Sequence, residues 1–362
     1  MPDNRSIMDM AVKWARKGGH NVFPNPRVGA IFVKNNKILA RGYHQQYGEA
    51  HAEVNAIKRC KNPKALKGST LFVTLEPCSH NGKQPPCTEA LKKIGIKKVI
   101  YAQIDPNPIV ASNGIQFLKK NNIQTEYLST HASQQLNEIY LKNTCQKRPF
   151  IEIKTALTAN GKITLKKRTH SKLSNDKSNE RVQTLRKNHD GILVGLNTIL
   201  SDNPRLTVRD KHGKSLPDSP TRIILDSQLK TPPRAQIFKE PGQIILATTQ
   251  SASPNSWNDR TIILTCKATP KGQIDLNDLL KKLLALGIRS VLVEGGEKTN
   301  TSFLKNGLAD RINLCLTPHL SRDLTAPGFM DTTLFTKLNL SEATLEILDN
   351  DLWIRGNLNS ST

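Results

Sequence analysis

Two α/β domains in tandem are predicted, on three observations. Short apolar runs of strand length alternate with stretches of helical spacing along most of the chain. The polar stretch Gln146-Lys147-Arg148-Pro149 interrupts that rhythm, which then starts again. The length of 362 residues is more than a single core usually serves. The boundary is accordingly set between 147 and 148, giving domains over 1–147 and 148–362.

The first domain opens with a helix over 6–17 and strands over 28–34 and 37–41. Val54, Ala56 and Ile57 recur at roughly helical spacing, so 51–60 is read as a helix with His51 and Glu53 in its first turn. Leu71-Phe72-Val73-Thr74-Leu75 is a buried strand ending at Glu76-Pro77. A helix starting near Cys87, a strand over 98–102, a helix over 113–120, a strand over 123–128 and a helix over 131–145 complete an α/β sandwich. The second domain restarts with a strand over 150–157 and a helix over 179–187. Strands follow over 191–194, 222–225, 243–247 and 261–264. A helix over 276–286 then feeds a strand over 290–293 and a helix from near Thr299. This order resembles a nucleotide-binding α/β domain. Residues 210–219 are too polar for core.

Composition narrows the class. An apolar content of 37% is adequate for packed cores, and no run approaches the length of a membrane span. The polar start Met1-Pro2-Asp3-Asn4-Arg5 does not read as a signal peptide. Six cysteines lack framework spacing, so Cys60, Cys145, Cys266 and Cys315 are expected as reduced, largely core thiols in a cytoplasmic protein. The net charge of +23 admits nucleic-acid binding. Aromatics make up 5% and the densest basic run, Lys166-Lys167-Arg168, has none interleaved, so a lysine-coated surface with a bias towards small anionic substrates is favoured. A homo-oligomer stays open.

Chemistry is concentrated in His51-Ala52-Glu53, Pro77-Cys78 and Pro86-Cys87. One imidazole and two thiols can hold Zn²⁺ while leaving a fourth position for water, whose pKa then falls towards neutral. Glu53 would move protons between that water and a leaving amine. His-x-Glu followed by Pro-Cys and a second Cys is the general signature of zinc-dependent deamination of a heterocyclic base. Buried structural thiols are one alternative, and a closed zinc with His80 or His44 as fourth ligand is another. In the second domain, Glu294-Gly295-Gly296-Glu297 after a strand allows close approach of backbone N–H groups to a phosphate. Asp202, Asn203-Pro204-Arg205 and Arg209 suit a polar, phosphorylated ligand. An ordinary turn and a solvated loop are the plain readings of those two stretches.

Taken together, these residues resemble the bifunctional riboflavin-biosynthesis family that joins a pyrimidine deaminase to a pyrimidine reductase. Asn25-Pro26-Arg27-Val28-Gly29, His51-Ala52-Glu53 and Glu76-Pro77-Cys78-Ser79-His80-Asn81-Gly82 through Cys87 carry the deaminase resemblance, with eight residues between the cysteines. It implies a cytidine-deaminase-like α/β/α sandwich in which His51, Cys78 and Cys87 bind zinc. Glu53 would be the proton shuttle, and Asn25, His44, His80 and Lys83 would line the pyrimidine pocket. The stretch from Lys154 to Lys162 and Val293-Glu294-Gly295-Gly296 resemble the reductase. That implies a dihydrofolate-reductase-like domain, with Leu157, Thr198, Asp202, Gly295 and Gly296 on NADPH. Lys154, Arg186, Leu206, Arg209 and Glu294 would contact a phosphorylated pyrimidine substrate.

The chain departs from the family pattern at Ala159-Asn160, where Leu-Asp is usual, and at Lys172-Leu173, where Trp-Ile is usual. It also lacks an expected glycine after Thr317-Pro318-His319-Leu320. Two rival functions follow: a deaminase with a non-catalytic C-terminal binding module, and a nucleic-acid-editing deaminase.

Overall fold

The computed structural model describes residues 2–107, 112–167, 169, 171–250 and 257–358, with backbone alone at 335–337. Arg168 of the basic run lies outside the described residues. The chain divides into two compact units, Met1–Gln146 and Lys147–Thr362.

The first unit runs α1 (Asn4–Ala15), β1 (Gly29–Lys34), β2 (Lys37–Tyr43), α2 (Ala52–Arg59), β3 (Thr70–Val73), α3 (Cys87–Ile94), β4 (Lys98–Tyr101), α4 (Asn113–Lys120), β5 (Gln124–Tyr127), α5 (His131–Leu136) and α6 (Glu138–Gln146). The strands form one sheet in the order β2-β1-β3-β4-β5, with β1 antiparallel to β2 and β3 and the rest parallel. Period-two alternation divides the side chains between two cores. Ala30 and Phe32 join Ala52, Ala56, Leu91 and Leu118 beneath α2, α3 and α4. Ile31, Phe72 and Ile100 meet Ile7, Met8 and Ala11 of α1 on the other face. The unit is therefore the expected three-layer α/β/α sandwich.

Two expectations change here. The single helix over 131–145 is broken at Asn137, whose backbone leaves helical geometry at φ −120°, ψ 23°. Its amide accepts from Arg27 N at 2.9 Å and donates to Arg27 O at 2.9 Å, closing the chain onto the Pro26-Arg27 segment. Cys145 is exposed rather than core, because α6 buries none of its residues.

The second unit contains β6 (Phe150–Thr158), α7 (Asp176–Lys187), β7 (Gly191–Gly195), α8 (Leu196–Asp202), β8 (Thr221–Leu225), β9 (Ile244–Thr248), β10 (Thr261–Thr265), α9 (Leu276–Ala285), β11 (Ser290–Val293), α10 (Glu297–Lys305), β12 (Arg311–Thr317), β13 (Leu340–Leu348) and β14 (Asp351–Leu358). They build a nine-stranded sheet, β10-β9-β8-β7-β11-β6-β12-β14-β13. Seven neighbouring strands are parallel, and the β14-β13 hairpin adds antiparallel strands at one edge. Buried on both faces, the central strands read as near-continuous apolar runs. Leu193, Ile223 and Val291 pack with Leu279, Leu283 and Phe303 of α9 and α10. Ile192, Ile224 and Leu246 pack with Ile199 and the 235–238 segment on the opposite side.

Helix α8 falls in a stretch read as loop, and α10 begins at Glu297 with Gly296 as its N-cap, two residues earlier than expected. Parallel strands that switch direction of connection leave a crevice outside their carboxyl ends. That is where the loops after β6, β7, β8 and β11 gather.

Candidate active sites

His51 is the N-cap of α2, so its ring projects from the helix entrance while Glu53 enters the first turn. Cys87 opens α3 after Pro86, and its N–H points at Cys78 Sγ at 3.4 Å. Thr88 fixes the Cys78 loop from behind, donating to Cys78 O from its N at 3.1 Å and its Oγ1 at 3.2 Å. Three loops thereby bring His51 Nδ1 to 3.4 Å from both Cys78 Sγ and Cys87 Sγ. A tetrahedral zinc with bonds of about 2.0 Å to nitrogen and about 2.3 Å to sulfur has N···S edges of about 3.5 Å, so the donor set fits the ion. Among the described residues these three donors make the one such group, all within 4.8 Å of one another, and no fourth side chain joins them.

Electrostatics agree with the geometry. Cys78 is pulled down to about 4 by the hydrogen bond from Cys87 and by His51. Cys87 is pushed up, because its proton is held against Cys78 and it is buried. Glu53 is 3% exposed, and burial followed by the charge of Cys78 lifts its carboxyl to about 7. A carboxyl balanced near neutrality can both accept and return a proton.

These groups look into a cavity of about 270 Å³, lined by Asn25, His44, His51, Glu53, Cys78, His80 and Lys83 among others. His44 is buried, and burial lowers its pKa, so the ring is neutral. Its Nδ1 lies 3.2 Å from Ala50 O, which can only accept, so Nδ1 carries the proton. Nε2, 3.2 Å from Asn25 Nδ2, then accepts from that amide and leaves the Asn25 carbonyl oxygen available. Both His44 nitrogens are thus committed, and His80 is exposed, so neither completes a closed metal site. Sequence reading missed Asp105 and Tyr140 on the same wall, joined by Tyr140 OH donating to Asp105 Oδ1 at 3.0 Å. No motif marked them, since they come from separate loop and helix segments.

The second unit holds a wider cleft, about 2250 Å³, at the carboxyl ends of the parallel strands. Lys154, Arg186, Thr198, Asp202, Leu206, Arg209, Glu294, Gly295 and Gly296 all line it. Arg186 Nε and Nη2 donate to Glu294 at 2.7 and 2.8 Å, and Nη1 donates to Thr207 O at 3.0 Å. Burial opposes the charge on Arg186, but the Glu294 carboxylate outweighs it and raises the pKa. Burial lowers the pKa of Lys154, which sits near Glu294. Leu206 adopts φ 53°, a left-handed conformation that costs a leucine about 1–3 kcal/mol and is held by its bonded neighbours. Those neighbours are Thr207, tied to Arg186, and Arg205, which donates to Glu240 at 2.6 and 3.1 Å. Arg205 is therefore a brace, whereas Arg209 extends from the cleft wall as an exposed cation.

Gly195 and Gly296 are the N-caps of α8 and α10, at the ends of adjacent strands β7 and β11. A Cβ on Gly195 would lie 2.8 Å from Thr299 Oγ1, and one on Gly295 would lie 2.5 Å from Thr299 Cβ. The glycines are required because Thr299 fills the space between the two strand ends. The Leu157 side chain packs in the core with Ile151 and Ile153, while Lys154, Thr155 and Ala156 of the same strand line the cleft.

Residues 1–103 match the cytidine and deoxycytidylate deaminase zinc-binding region, and residues 149–354 match the RibD C-terminal domain. The riboflavin biosynthesis protein RibD of Aquifex aeolicus is 34% identical over 356 residues, covering 97% of each chain. That of Actinobacillus pleuropneumoniae is 38% identical over 319 residues, covering 86% of this chain and 83% of its own. The chain belongs to the RibD family. Among solved structures, Acinetobacter baumannii RibD superposes with a TM-score of 0.81 at 30% identity, over 97% of this chain and 98% of that one. A diaminohydroxyphosphoribosylaminopyrimidine deaminase/5-amino-6-(5-phosphoribosylamino)uracil reductase from Thermotoga maritima gives 0.80 at 32% identity, over 97% of both.

The residues at which this chain departs from the family pattern have structural partners. Asn160 Nδ2 donates to Ser321 O at 2.8 Å, while its Oδ1 accepts from Ser321 N at 3.0 Å and Thr158 Oγ1 at 2.7 Å. Lys172 lies at the cleft rim and pairs with Asp176 at 3.0 Å, while Leu173 is buried.

Proposed function

We propose that the first unit hydrolyses the ring amine of 2,5-diamino-6-(5-phosphoribosylamino)pyrimidin-4(3H)-one. The second unit would then reduce the ribosyl group of the resulting 5-amino-6-(5-phosphoribosylamino)uracil to ribityl with NADPH. The observation that carries the first step is the convergence of His51, Cys78 and Cys87 donor atoms beside the cavity that His51, Cys78 and Glu53 line.

His51, Cys78 and Cys87 would hold zinc, with both thiols deprotonated on binding. Zinc in such a site lowers the pKa of water at its open position and so supplies a nucleophile at neutral pH. Glu53 takes one proton from the water on its carboxylate and gives it to the ring nitrogen, then takes the second from the hydroxyl added to the ring carbon and gives it to the departing amine, so that ammonia leaves and a ring carbonyl remains. The Asn25 carbonyl oxygen accepts from a ring N–H or amine and sets the pyrimidine face. Neutral His44 holds Asn25 in that orientation.

In the second unit, NADPH, when bound, supplies a hydride to the ribose C1 carbon. The helix entrances at Gly195 and Gly296 and the Thr198 hydroxyl would hold its phosphates. Lys154, kept deep in the cleft with a lowered pKa, gives a proton to the sugar ring oxygen as the C1–oxygen bond opens. Glu294 positions that lysine, and Arg209 meets the substrate phosphate. Six free cysteines suit a reducing compartment, and the cytoplasm is the proposed location.

Ammonia release is assayed on the phosphorylated diaminopyrimidine, and NADPH oxidation on the deaminated product. Both activities are expected. Ammonia release without NADPH oxidation would make the second unit a binding module.

A further inference from the structure

Among the described residues Lys83 is the one lysine or arginine lining the first cavity, and it lies on the loop that connects the two zinc-ligand cysteines. Its side chain is not loose. The ammonium sits 4.2 Å from the centroid of the Tyr47 ring. The stem crosses Gly48, where an added Cβ would meet Lys83 Cδ at 3.5 Å. The Tyr47–Gly48 strap is tied at both ends: Tyr47 N donates to Asn21 O at 3.0 Å, and Gln84 Nε2 donates to Gly48 O at 2.8 Å. Gly48 takes φ 83°, a conformation that suits glycine. Tyr47 is 42% exposed, and the Lys83 ammonium lies against its ring.

We propose that Tyr47 is a positioning residue that holds Lys83 over the cavity mouth, ready for the phosphate of the deaminase substrate. The argument is chemical. A ring face attracts an ammonium without consuming any of its three N–H donors and without neutralising its charge. A carboxylate partner would do both, and among the described residues Lys83 has no ion pair. Lysine carries a long flexible stem, so fixing the head in advance lowers the ordering cost when an anion arrives. Zinc and Glu53 act on the ring, whereas Lys83 and Tyr47 would act on the phosphate arm.

The proposal rests on the deaminase reading above and on Lys83 meeting the phosphate. The test measures KM and kcat for ammonia release with the phosphorylated diaminopyrimidine and with its dephosphorylated counterpart. Tyr47→Ala is expected to raise KM for the phosphorylated substrate about two- to fivefold, the range of an exposed cation–π contact, with kcat unchanged. Tyr47→Phe keeps the ring face and retains the wild-type KM. With the dephosphorylated compound, wild type and Tyr47→Ala should be alike, which also shows that the variant is folded and metal-loaded. In a Lys83→Ala background, removal of Tyr47 should have no further effect. A raised KM in Lys83→Ala beside an unchanged KM in Tyr47→Ala overturns the clamp alone. An unchanged KM in Lys83→Ala overturns the phosphate role of Lys83 and the clamp with it. A loss in Tyr47→Ala that is equal for both substrates assigns Tyr47 to general packing and also overturns the proposal.

Discussion

The two cavities of this chain solve different problems with different materials. The deaminase cavity is small and draws its reactive groups from three short motifs, each at a helix entrance or a loop beside one. Its key carboxyl, Glu53, is held near neutrality by burial. The reductase cleft is about eight times larger and gathers single residues from the ends of several strands. Three of its cations are already paired: Arg186 with Glu294, Arg205 with Glu240 and Lys172 with Asp176. One site concentrates chemistry in a few atoms, and the other spends charged residues on shaping a large surface.

The sharpest way to break this contrast is Glu53→Gln. The amide keeps the shape but cannot carry the proton, so kcat for ammonia release should fall about 10²- to 10⁴-fold while zinc content is unchanged. Turnover close to wild type, measured beside metal content, would take Glu53 out of the mechanism. In the cleft, the corresponding loss is one of structure first. Arg186→Met leaves the Glu294 carboxylate buried without its hydrogen-bonded partner, at a cost of about 3–5 kcal/mol, and releases the Thr207 carbonyl. Denaturant unfolding of the second unit should show it, and a drop under 1 kcal/mol would mean the pair does not brace the cleft.

Glu152 tests the opposite end of that sheet, away from the cleft. Burial opposes its ionisation, but His189, Arg311 and Arg355 overcome it and hold the carboxyl at about 2, below its ordinary 4.5. Such a depressed carboxylate stabilises the fold by about 3 kcal/mol above pH 4.5, a contribution lost as pH falls through about 2. The Tm difference between wild type and Glu152→Gln should therefore narrow as pH is lowered from 5 to 2. A constant gap across that range would contradict the assignment. The smallest effect is expected at Asn160→Asp, which removes the donor to Ser321 O and costs about 1 kcal/mol. A severalfold rise in KM for NADPH is the expected readout, because the Ser321 segment leads into the cleft wall at 325–332.

How much was legible in the sequence follows the same division. The grouping of His51, Cys78 and Cys87 was readable because donors that could hold a metal come as particular residue types at fixed offsets from helix starts. The central strands were readable because strands buried on both faces are continuous apolar runs. Strand β13 was not, since Leu340–Leu348 is an edge strand largely exposed on both faces and shows no buried alternation. Helix α8 was hidden by its brevity and by the polar Asn203-Pro204-Arg205 that follows it. Motif resemblance locates the segment around Leu157, whereas only the assembled fold shows that Lys154, Thr155 and Ala156 line the cleft. Gly195 and Asp105 are single residues outside any motif, and only the assembled fold gives them neighbours.

Metal removal and restoration addresses the central claim most directly. The protein is stripped with a chelator and titrated with zinc, while ammonia release and NADPH oxidation are followed on their own substrates. Ammonia release should vanish on stripping and return in proportion to zinc up to one ion per chain, with NADPH oxidation unaffected throughout. Full ammonia release from zinc-free protein, or saturation without any return of activity, would contradict the account.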